Sequence, residues 1–440
     1  MEIVVKIAQF VLSLSILVIL HEFGHFFFAK IFKTRVEKFY LFFNPWFSLF
    51  KFKRGETEYG VGWVPLGGYV KISGMIDESM DKEQMKQPPQ PYEFRSKKSW
   101  QRLLIMLGGV LVNFLLALVI YSLMLFKWGD SYLPNKEVKY GIMVTDSIGY
   151  EIGLKDGDHI LSLDNKEIDN FYEITAKLLL DDVKTMQLRR NDSVFSINLP
   201  DDLISRLIKE KTTIFDARVP YIISELPKES PAKDAGFQAE DQIIGINGIR
   251  IKYYDEFQKN LKGYEDKNIT VTVLRGSDTI DITTHVTEEG KLGVYAWSES
   301  KYFNFKHVDY GFFEAIPAGI KKGFSTLKDY LKQFKLIFSK KHKGYKELGG
   351  FITIGKIFPG QWDWQAFWGL TAFLSIILAI MNVLPIPALD GGHVLFLLYE
   401  IITGRKPSDK FLEHAQIVGM IILFALLLYA NGNDIIKLFK

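Results

Sequence analysis

The chain has 440 residues, of which 48% are hydrophobic and 24% charged, and its formal net charge is +3. That length suggests about three domains of ordinary size. The small net charge, without a basic stripe interleaved with aromatic residues, argues against nucleic acid as a partner. The absence of cysteine excludes disulfides, thiolate zinc sites, iron–sulfur clusters and a cysteine nucleophile.

The first predicted element is a membrane-spanning helix over about residues 7–28, because this stretch is apolar and long enough to cross a hydrocarbon core. It has no small-residue cleavage site, so we expect a retained helix rather than a signal peptide. Its end carries His21, Glu22 and His25 in the pattern H-E-x-x-H. Two histidines at this spacing share a helix face and can hold one Zn²⁺, while Glu22 acts on water at the metal.

The alternative explanation of this motif is a pair of histidines that reach toward the membrane interface. Ionisable groups at membrane depth cost about 2.5–3.5 kcal/mol each on insertion scales, so their presence needs a reason. The interface explanation offers none for Glu22, and we therefore favour a zinc site.

Residues 58–71 read as two short strands around a turn that contains Gly67 and Gly68. Glycines let backbones approach closely. From the residues alone, this is a hairpin that rests on the membrane or re-enters it. The polar, proline-containing stretch 75–91 predicts a linker, and a second membrane helix is predicted over about residues 103–126.

The middle of the chain contains an internal repeat. Residues 153–165 are similar to residues 236–248, at a constant offset of 83 positions. Two copies of a unit of about 80 residues explain this similarity better than chance. Each copy is predicted to begin with an extended run, at 142–144 or 221–223, followed by a Gly-Asp turn, a second strand, a helix and a third strand.

The last part of the chain returns to apolar segments. Residues 311–340 alternate apolar residues with lysine at helical spacing, which suggests an amphipathic helix on the outer membrane surface or against the second copy. A third membrane helix is predicted over about residues 367–384, where Pro385 and Pro387 end it, and a short fourth one over about 417–429.

The distribution of lysine and arginine predicts the orientation of these helices. Basic residues follow the first helix, precede the second and lie between the third and fourth, so residues 29–102 and 400–412 should be cytoplasmic. Both termini and residues 130–360 should then lie outside. The H-E-x-x-H motif and the end of the third helix are thereby placed at the same depth.

A hydrolytic zinc needs a third protein ligand and an open fourth position. The candidate is Asp390, just after the third helix. An ionised carboxylate accepts hydrogen bonds but donates none, and this suits it to binding a cation. Gly391 and Gly392 would permit a tight turn that aims this carboxylate. His393 is the rival ligand, and we interpret it as an ordinary interfacial histidine.

Three features together resemble the site-2 protease family, and within it the bacterial regulator-of-sigma-E protease subgroup. They are H-E-x-x-H in the first membrane helix, Leu389-Asp390-Gly391 near a later one, and tandem PDZ-like units between the second and third helices. The second unit, with Ser230-Pro231-Ala232, is the fuller match, and the first lacks this segment. The sequence departs from the family in Gly108-Gly109-Val110-Leu111-Val112-Asn113 of the second helix, where the family usually shows Gly-Pro before the asparagine.

The resemblance implies zinc-dependent intramembrane proteolysis. The substrates would be single-span membrane proteins, such as anti-sigma factors or signal-peptide remnants, usually trimmed first by an upstream site-1 type protease. The protein would lie in the lipid bilayer of a bacterial cytoplasmic (inner) membrane, with its active site near the cytoplasmic side. The PDZ-like domains would be extracytoplasmic and act as a size-exclusion filter.

The same resemblance assigns roles to individual residues. Four residues are implied in catalysis: the zinc ligands His21, His25 and Asp390 and the general base Glu22. Five are implied in substrate binding: Asn382, Pro385, Gly67, Gly68 and Tyr69. The last three belong to a segment that is a re-entrant β-loop in the family. A helix hides its scissile carbonyls, so an edge strand of such a loop can hold the unwound substrate.

The predicted fold is a multi-pass α-helical membrane protein with four transmembrane helices, a re-entrant β-loop and two inserted α+β PDZ-like domains. The first two membrane helices and the β-loop occupy 1–128. The PDZ-like domains occupy 135–215 and 216–295. An extracytoplasmic amphipathic helical segment covers 296–360, and the last two membrane helices cover 361–440.

Two other functions compete with proteolysis. A catalytically idle adaptor could bind protein tails through the PDZ-like units, but it would not need four metal-competent residues at one depth. A metal transporter could use the same four residues as a transit site. It would be expected to show further polar residues along a path or repeated membrane helices, whereas only Asn113 and Asn382 stand out.

Overall fold

The computed structural model describes residues 1–65, 67–75, 87–339, 341 and 344–439. Most of the predicted linker therefore lies outside the described residues. The chain divides into two compact units. We call Met1–Gly129, Asp309–Ser339 and Gly344–Lys440 the membrane unit, and Asp130–Val308 with Lys340–Lys343 the repeat unit.

The membrane unit begins with helix α1, Glu2–Ile31, and a sheet of four strands. The strands are β1 (Val36–Leu41), β2 (Phe50–Arg54), β3 (Thr57–Val61) and β4 (Tyr69–Ile72). Their order is β2-β3-β1-β4, with β1 parallel to β3 and antiparallel to β4. The expected hairpin is therefore wrong in its pairing, because the aromatic strand β1 inserts between β3 and β4. Strand β4 lies at one edge of the sheet.

Helix α2, Ser99–Trp128, packs against α1. The two helices approach most closely at Gly24 and Gly108, where a Cβ on Gly24 would overlap the Gly108 carbonyl. Small residues allow this close packing of membrane helices. Helix α2 ends at Gly129, whose φ of 65° suits glycine.

The first half of the repeat unit contains seven strands and three helices: β5 Asp130–Tyr132, β6 Ile142–Val144, α3 Ser147–Glu151, β7 His159–Leu163, β8 Lys166–Glu167, α4 Glu173–Leu180, β9 Thr185–Arg190, β10 Ser193–Asn198, α5 Leu203–Glu210 and β11 Phe215–Ala217. The second half follows with β12 Ile223–Glu225, α6 Pro231–Asp234, β13 Gln242–Ile246, β14 Ile249–Arg250, α7 Tyr254–Leu261, β15 Asn268–Arg275, β16 Asp278–His285, β17 Tyr295–Ala296 and β18 Lys306–Val308. Strand β18 pairs with β5.

The two halves have the same topology. Sheet β10-β9-β7-β8 in the first corresponds to β16-β15-β13-β14 in the second, and the pair β6–β11 corresponds to β12–β17. Each half has its own hydrophobic core. Helix α3 occupies the position of α6 although the first copy lacks the Ser-Pro-Ala segment, and α5 is an addition of the first copy.

The remaining helices of the membrane unit are α8 Phe312–Ile337, α9 Phe351–Lys356, α10 Trp364–Val383, α11 Asp390–Thr403 and α12 Asp409–Leu438. The side chain of Asp363 caps α10 by accepting a hydrogen bond from the Ala366 N–H, at 3.0 Å. Helix α10 ends just before Pro385, as the sequence predicted. Helix α11 was not anticipated.

Within the described residues, four helices are long and apolar enough to span a membrane: Glu2–Ile31, Ser99–Trp128, Trp364–Val383 and Lys410–Leu438. The prediction of four membrane helices is therefore confirmed. The amphipathic helix α8 also forms, but it packs lengthwise and antiparallel along α2 instead of lying flat on a membrane surface. Phe312 contacts Phe126, and Phe324 contacts Phe114, which lies about three turns nearer the start of α2.

Candidate metal site

Helix α1 and the start of helix α11 bring three potential metal ligands together. Nε2 of His21 lies 3.2 Å from Nε2 of His25 and 3.2 Å from Oδ2 of Asp390. Nε2 of His25 lies 3.3 Å from the same carboxylate oxygen. Since His21 and His25 are one helical turn apart, the pair is organised locally, whereas Asp390 arrives from a distant part of the chain.

These distances fit one tetrahedral cation. Bonds of about 2.0–2.1 Å to a four-coordinate zinc separate neighbouring ligand atoms by roughly 3.3 Å. Oδ2 of Asp390 is buried and accepts no hydrogen bond from any described residue. An unpaired buried carboxylate oxygen is costly, so its position beside two imidazole nitrogens favours a shared cation. His393 is not part of this group among the described residues.

Glycine in α2 makes room for both imidazole rings. A Cβ on Gly109 would lie 2.5 Å from Cε1 of His21 and 2.6 Å from Nε2 of His25. Real Cβ atoms essentially never come this close to a neighbour, so alanine would displace one or both rings. Glycine at position 109 therefore leaves the space that the two rings occupy.

The loop between α10 and α11 carries Asp390 to the site. Asp390 is the first residue of α11, so Gly391 and Gly392 belong to a helical turn and not to the tight turn expected from the sequence. They are small for a different reason: a Cβ on Gly391 would overlap the Leu384 carbonyl, and one on Gly392 would lie 2.6 Å from Cα of Pro387. The start of α11 therefore packs closely against the preceding loop.

Each histidine makes a second contact through its other ring nitrogen. Nδ1 of His25 lies 2.8 Å from the backbone oxygen of Ile105, and Nδ1 of His21 lies 3.5 Å from the side-chain amide of Asn113. The Nδ2 atom of Asn382 lies 3.5 Å from Nε2 of His21, so this predicted substrate-binding residue is next to the metal-ligand group.

A cavity of about 150 Å³ opens beside the ligand group. It is lined by Glu22, Gly68, Tyr69, Asp390 and Gln416, among others. The predicted general base Glu22 and two of the three predicted β-loop residues therefore share one cavity with Asp390.

Three predicted substrate residues, Asn382, Gly67 and Pro385, lie outside this lining in the part of the chain that the structure describes. Gly67 is next to the ring of Phe43, with φ at 150°, and Pro385 lies in the loop between α10 and α11. Gly68 has a structural constraint of its own. A Cβ there would lie 2.7 Å from the Tyr40 carbonyl oxygen and 3.2 Å from Cγ of Glu22.

Sequence reasoning missed three residues at the site: Gly109, Asn113 as a histidine partner, and Gln416. Gln416 is 5% exposed and lies on α12, seven residues after the helix start. The predicted fourth helix begins at about 417, so Gln416 lies just outside the predicted apolar segment. A longer window over the apolar segment would have identified a buried glutamine.

The chain matches peptidase family M50 over residues 9–426. The chain belongs to peptidase family M50. A protein of Rickettsia conorii with the provisional name of a zinc metalloprotease is 28% identical over 99% of both chains. The regulator of sigma E protease of Haemophilus influenzae is 26% identical, covering 98% of this chain and 99% of its own. The protease RseP of Yersinia pestis is 27% identical over the full length of both. This M50 chain is accordingly a zinc metalloprotease, as the resemblance predicted.

Proposed function

We propose that the chain is a zinc-dependent intramembrane endopeptidase that cleaves the membrane-spanning segments of single-span membrane proteins. The observation that carries the proposal is the meeting of His21, His25 and Asp390 at 3.2–3.3 Å. His21 and His25 lie within α1, which is apolar and long enough to span a bilayer, and Asp390 follows the loop after α10, a second such helix. The relatives named as regulators of sigma E support substrates such as anti-sigma factors.

His21, His25 and Asp390 are the proposed zinc ligands. When bound, zinc would lower the pKa of a water molecule and polarise the scissile carbonyl. Glu22 lies between the two histidines on α1 and faces the same cavity as Asp390, so its carboxylate is the proposed acceptor of the proton that water loses. After cleavage, this proton would pass to the new amine.

We further propose that the substrate is held as an added strand on β4. In the part of the sheet that is described, β4 is an edge strand, and Tyr69, Val70 and Ile72 line the cavity next to Asp390. A strand added here would present extended backbone to the site, as proteolysis of a helix requires. Tyr69 is fixed by stacking on Tyr40, at a centroid distance of 5.2 Å. Asn382 and Pro385 would contact the substrate from the opposite side.

The proposed location is the bacterial cytoplasmic (inner) membrane, with the ligand group near the cytoplasmic side and the repeat unit outside. The asymmetry of lysine and arginine supports this orientation. An impermeant thiol reagent applied to intact cells should label a cysteine placed at Asp192 and not one at Glu83, which lies outside the described residues. Labelling at Glu83 alone would invert the topology.

The two repeats are proposed to be PDZ-like domains that exclude substrates with folded outer domains. The second repeat could also bind a peptide by strand addition, but residues 221–223 do not offer a free strand edge for it. The strand at residues 221–223 is flanked on both sides, by β17 and by a bridge from Ile222 to Gln242. Among the described strands, β17 pairs only with β12, so strand addition would occur at β17.

Removal of residues 135–290 tests the filter. The shortened protein should still bind zinc and should now cleave substrates that no site-1 type protease has trimmed. Rejection of untrimmed substrates by a zinc-loaded deletion variant would contradict a size filter. Loss of cleavage of trimmed substrates would instead indicate docking through β17.

The metal transporter is the second candidate, and one argument against it has to be revised. Besides Asn113 and His25, the described membrane helices bury further polar residues: Gln9, Ser13, Arg102, Thr371, Ser375, Gln416 and Asp434. Several of them hydrogen-bond to neighbouring segments, as between the Ser13 and Thr371 hydroxyls at 2.9 Å or from Ser375 to the Asn113 carbonyl at 2.7 Å. Polar groups committed to such bonds stabilise helix packing and favour the protease.

The test of the proposed function is co-expression of the protein with a tagged panel of single-span membrane proteins. The wild type should produce fragments that the Glu22→Gln variant does not, because glutamine cannot accept the proton, and cleavage should fall by roughly 10²–10⁴-fold. Zinc content should be unchanged. The matched control is Glu56→Gln, at the exposed turn between β2 and β3 of the same unit. This variant should cleave like the wild type. Equal cleavage by Glu22→Gln would remove Glu22 as the base.

A further inference from the structure

Helix α2 contacts the histidine pair at three positions that are each one turn apart. The Ile105 carbonyl meets Nδ1 of His25, Gly109 makes room for both rings, and the Asn113 amide meets Nδ1 of His21. Residues spaced by four lie on one face of a helix, and the histidines on α1 have the same spacing. This face of α2 therefore surrounds the back of the ligand pair.

Asn113 is fully buried and its side-chain oxygen is unpaired. Its exposed fraction is 0%, and Oδ1 has no hydrogen-bond partner among the described residues. The Nδ2 atom lies 3.5 Å from Nδ1 of His21, at the outer limit of a hydrogen bond. An unsatisfied amide oxygen in a membrane helix is costly, so this orientation of the amide leaves a free-energy penalty that needs an explanation.

The opposite orientation of the amide gives the buried oxygen a hydrogen-bond partner. The oxygen and nitrogen of an asparagine side chain exchange places by a half-turn and are assigned from their hydrogen bonds. With Oδ1 facing His21, the amide accepts a hydrogen bond from Nδ1–H, and the lone pair of Nε2 is left for a metal. His25 has the same arrangement, since Nδ1 faces the Ile105 carbonyl, which can only accept.

We propose that Asn113 is a positioning residue for zinc: its side-chain oxygen selects the His21 tautomer in which Nε2 binds the metal. The inference rests on the ligand set of the proposed function. Because Asn113 is fully buried and does not line the cavity, it acts through His21 and not on the substrate. The corresponding partner of His25 is a backbone carbonyl, so only the His21 side can be tested by a side-chain substitution.

The experiment measures the zinc affinity of the purified full-length protein in nanodiscs by competition with a chelator. Asn113→Leu, which keeps the volume but loses the acceptor, should weaken zinc binding by about 10–100-fold. Asn113→Asp, which keeps an acceptor oxygen, should stay within a few-fold of the wild type. The matched control is Ser375→Ala, which removes the hydrogen bond to the Asn113 backbone and leaves the amide in place. It should also stay within a few-fold.

A second readout separates positioning from packing. The His21→Ala/Asn113→Leu double variant should bind zinc no more weakly than His21→Ala alone, because Asn113 acts only through His21. The visible spectrum of the Co²⁺-loaded protein should change in Asn113→Leu and return in Asn113→Asp. Wild-type affinity in Asn113→Leu, an equal loss in Asn113→Asp, or additive losses in the double variant would each overturn the proposal.

The His21→Ala variant distinguishes this inference from the proposed function. His21→Ala alone should bind zinc much more weakly than the wild type, with a residual affinity from His25 and Asp390 that the chelator competition measures. If it binds zinc like the wild type, the ligand set is wrong and both proposals fail. If its zinc binding weakens while that of Asn113→Leu does not, only the positioning role of Asn113 fails and the ligand set stands.

Discussion

Buried aspartates occur in both units of the chain, in different surroundings. In the repeat unit, Asp158 and Asp241 are 0% exposed, and each accepts two hydrogen bonds of 2.7–2.8 Å from one arginine, Arg190 or Arg275. Each also accepts a backbone N–H at 2.8 Å. In the membrane unit, Oδ2 of Asp390 has two imidazole nitrogens within 3.3 Å and no described hydrogen bond.

The difference separates a structural carboxylate from a ligand. The guanidinium of arginine is always charged and matches both carboxylate oxygens, so the pairs in the repeat unit are complete without any added group. Imidazole, unlike guanidinium, has a neutral form whose ring nitrogen can bind a metal. A carboxylate oxygen shared by two histidines therefore suits a bound cation, and the three predictions below test this contrast.

The largest effect is expected at Asp390. The Asp390→Asn substitution removes the anionic ligand, so zinc affinity should fall by more than the roughly 10–100-fold that is typical of changes around a ligand. Cleavage of a single-span substrate should disappear. His393→Ala, three residues along α11, is the control and should have little effect on zinc content measured in the purified protein. If the two variants behave the other way round, the ligand is His393.

A smaller effect, on stability alone, is expected at Asp241. The Asp241→Asn substitution leaves Arg275 without its partner and should destabilise the second repeat by roughly 2–4 kcal/mol, somewhat below the cost for a fully buried pair because Arg275 is 29% exposed. Hydrogen exchange of residues 223–285 would measure the change as lost protection. Zinc binding should be unchanged. A loss of zinc as large as that of Asp390→Asn would break the contrast between the two units.

The smallest effect concerns a partly exposed pair between the two repeats. Burial opposes ionisation of Asp156, but hydrogen bonds from Lys259 and the Val144 N–H outweigh it and lower the pKa of this carboxyl. A carboxylate whose pKa is lowered in the folded state stabilises that state above its unfolded pKa of about 3.9, and this contribution is lost as the pH falls through the folded pKa. Because Lys259 is 45% exposed, the contribution should be at most about 1 kcal/mol.

The measurement for this pair is the unfolding midpoint of the repeat unit within the full chain, between pH 6 and pH 3, for the wild type and Asp156→Asn. The difference between the two proteins should shrink below about pH 4, where the wild-type carboxylate becomes protonated. A difference that stays constant with pH would show that Asp156 contributes through hydrogen bonds alone and not through its charge.

Several features could be predicted from the sequence because their causes are local. His21 and His25 are neighbours on any helix, and α1 is apolar enough to form one in a membrane. The number of membrane helices could be predicted because each is a long apolar stretch of sequence. The repeat was visible because equivalent turns and strands recur at a fixed offset, and both copies indeed adopt one topology.

Other features depend on which distant segments come together. The insertion of β1 between β3 and β4 follows from strand pairing, which residue types alone do not specify. Helix α8 was predicted as amphipathic, but its packing along α2 depends on Gly319 and Gly323 fitting against Ser122 and Leu118. A helical periodicity indicates an apolar face and not the surface that covers it.

By itself, the sequence predicted the membrane helices, the duplicated middle and the three proposed ligands. Periodicity and short motifs act within a few turns of chain, and the lysine and arginine distribution placed Asp390 at the depth of the two histidines. Only the tertiary structure decided the rest of the site. Asp390 reaches His21 through a loop that glycine packing shapes, Gly109 and Asn113 face the histidines from α2, and Gln416 enters the cavity from α12. The reason is physical: the contact of two side chains hundreds of residues apart depends on how helices pack, and packing is a property of the whole unit.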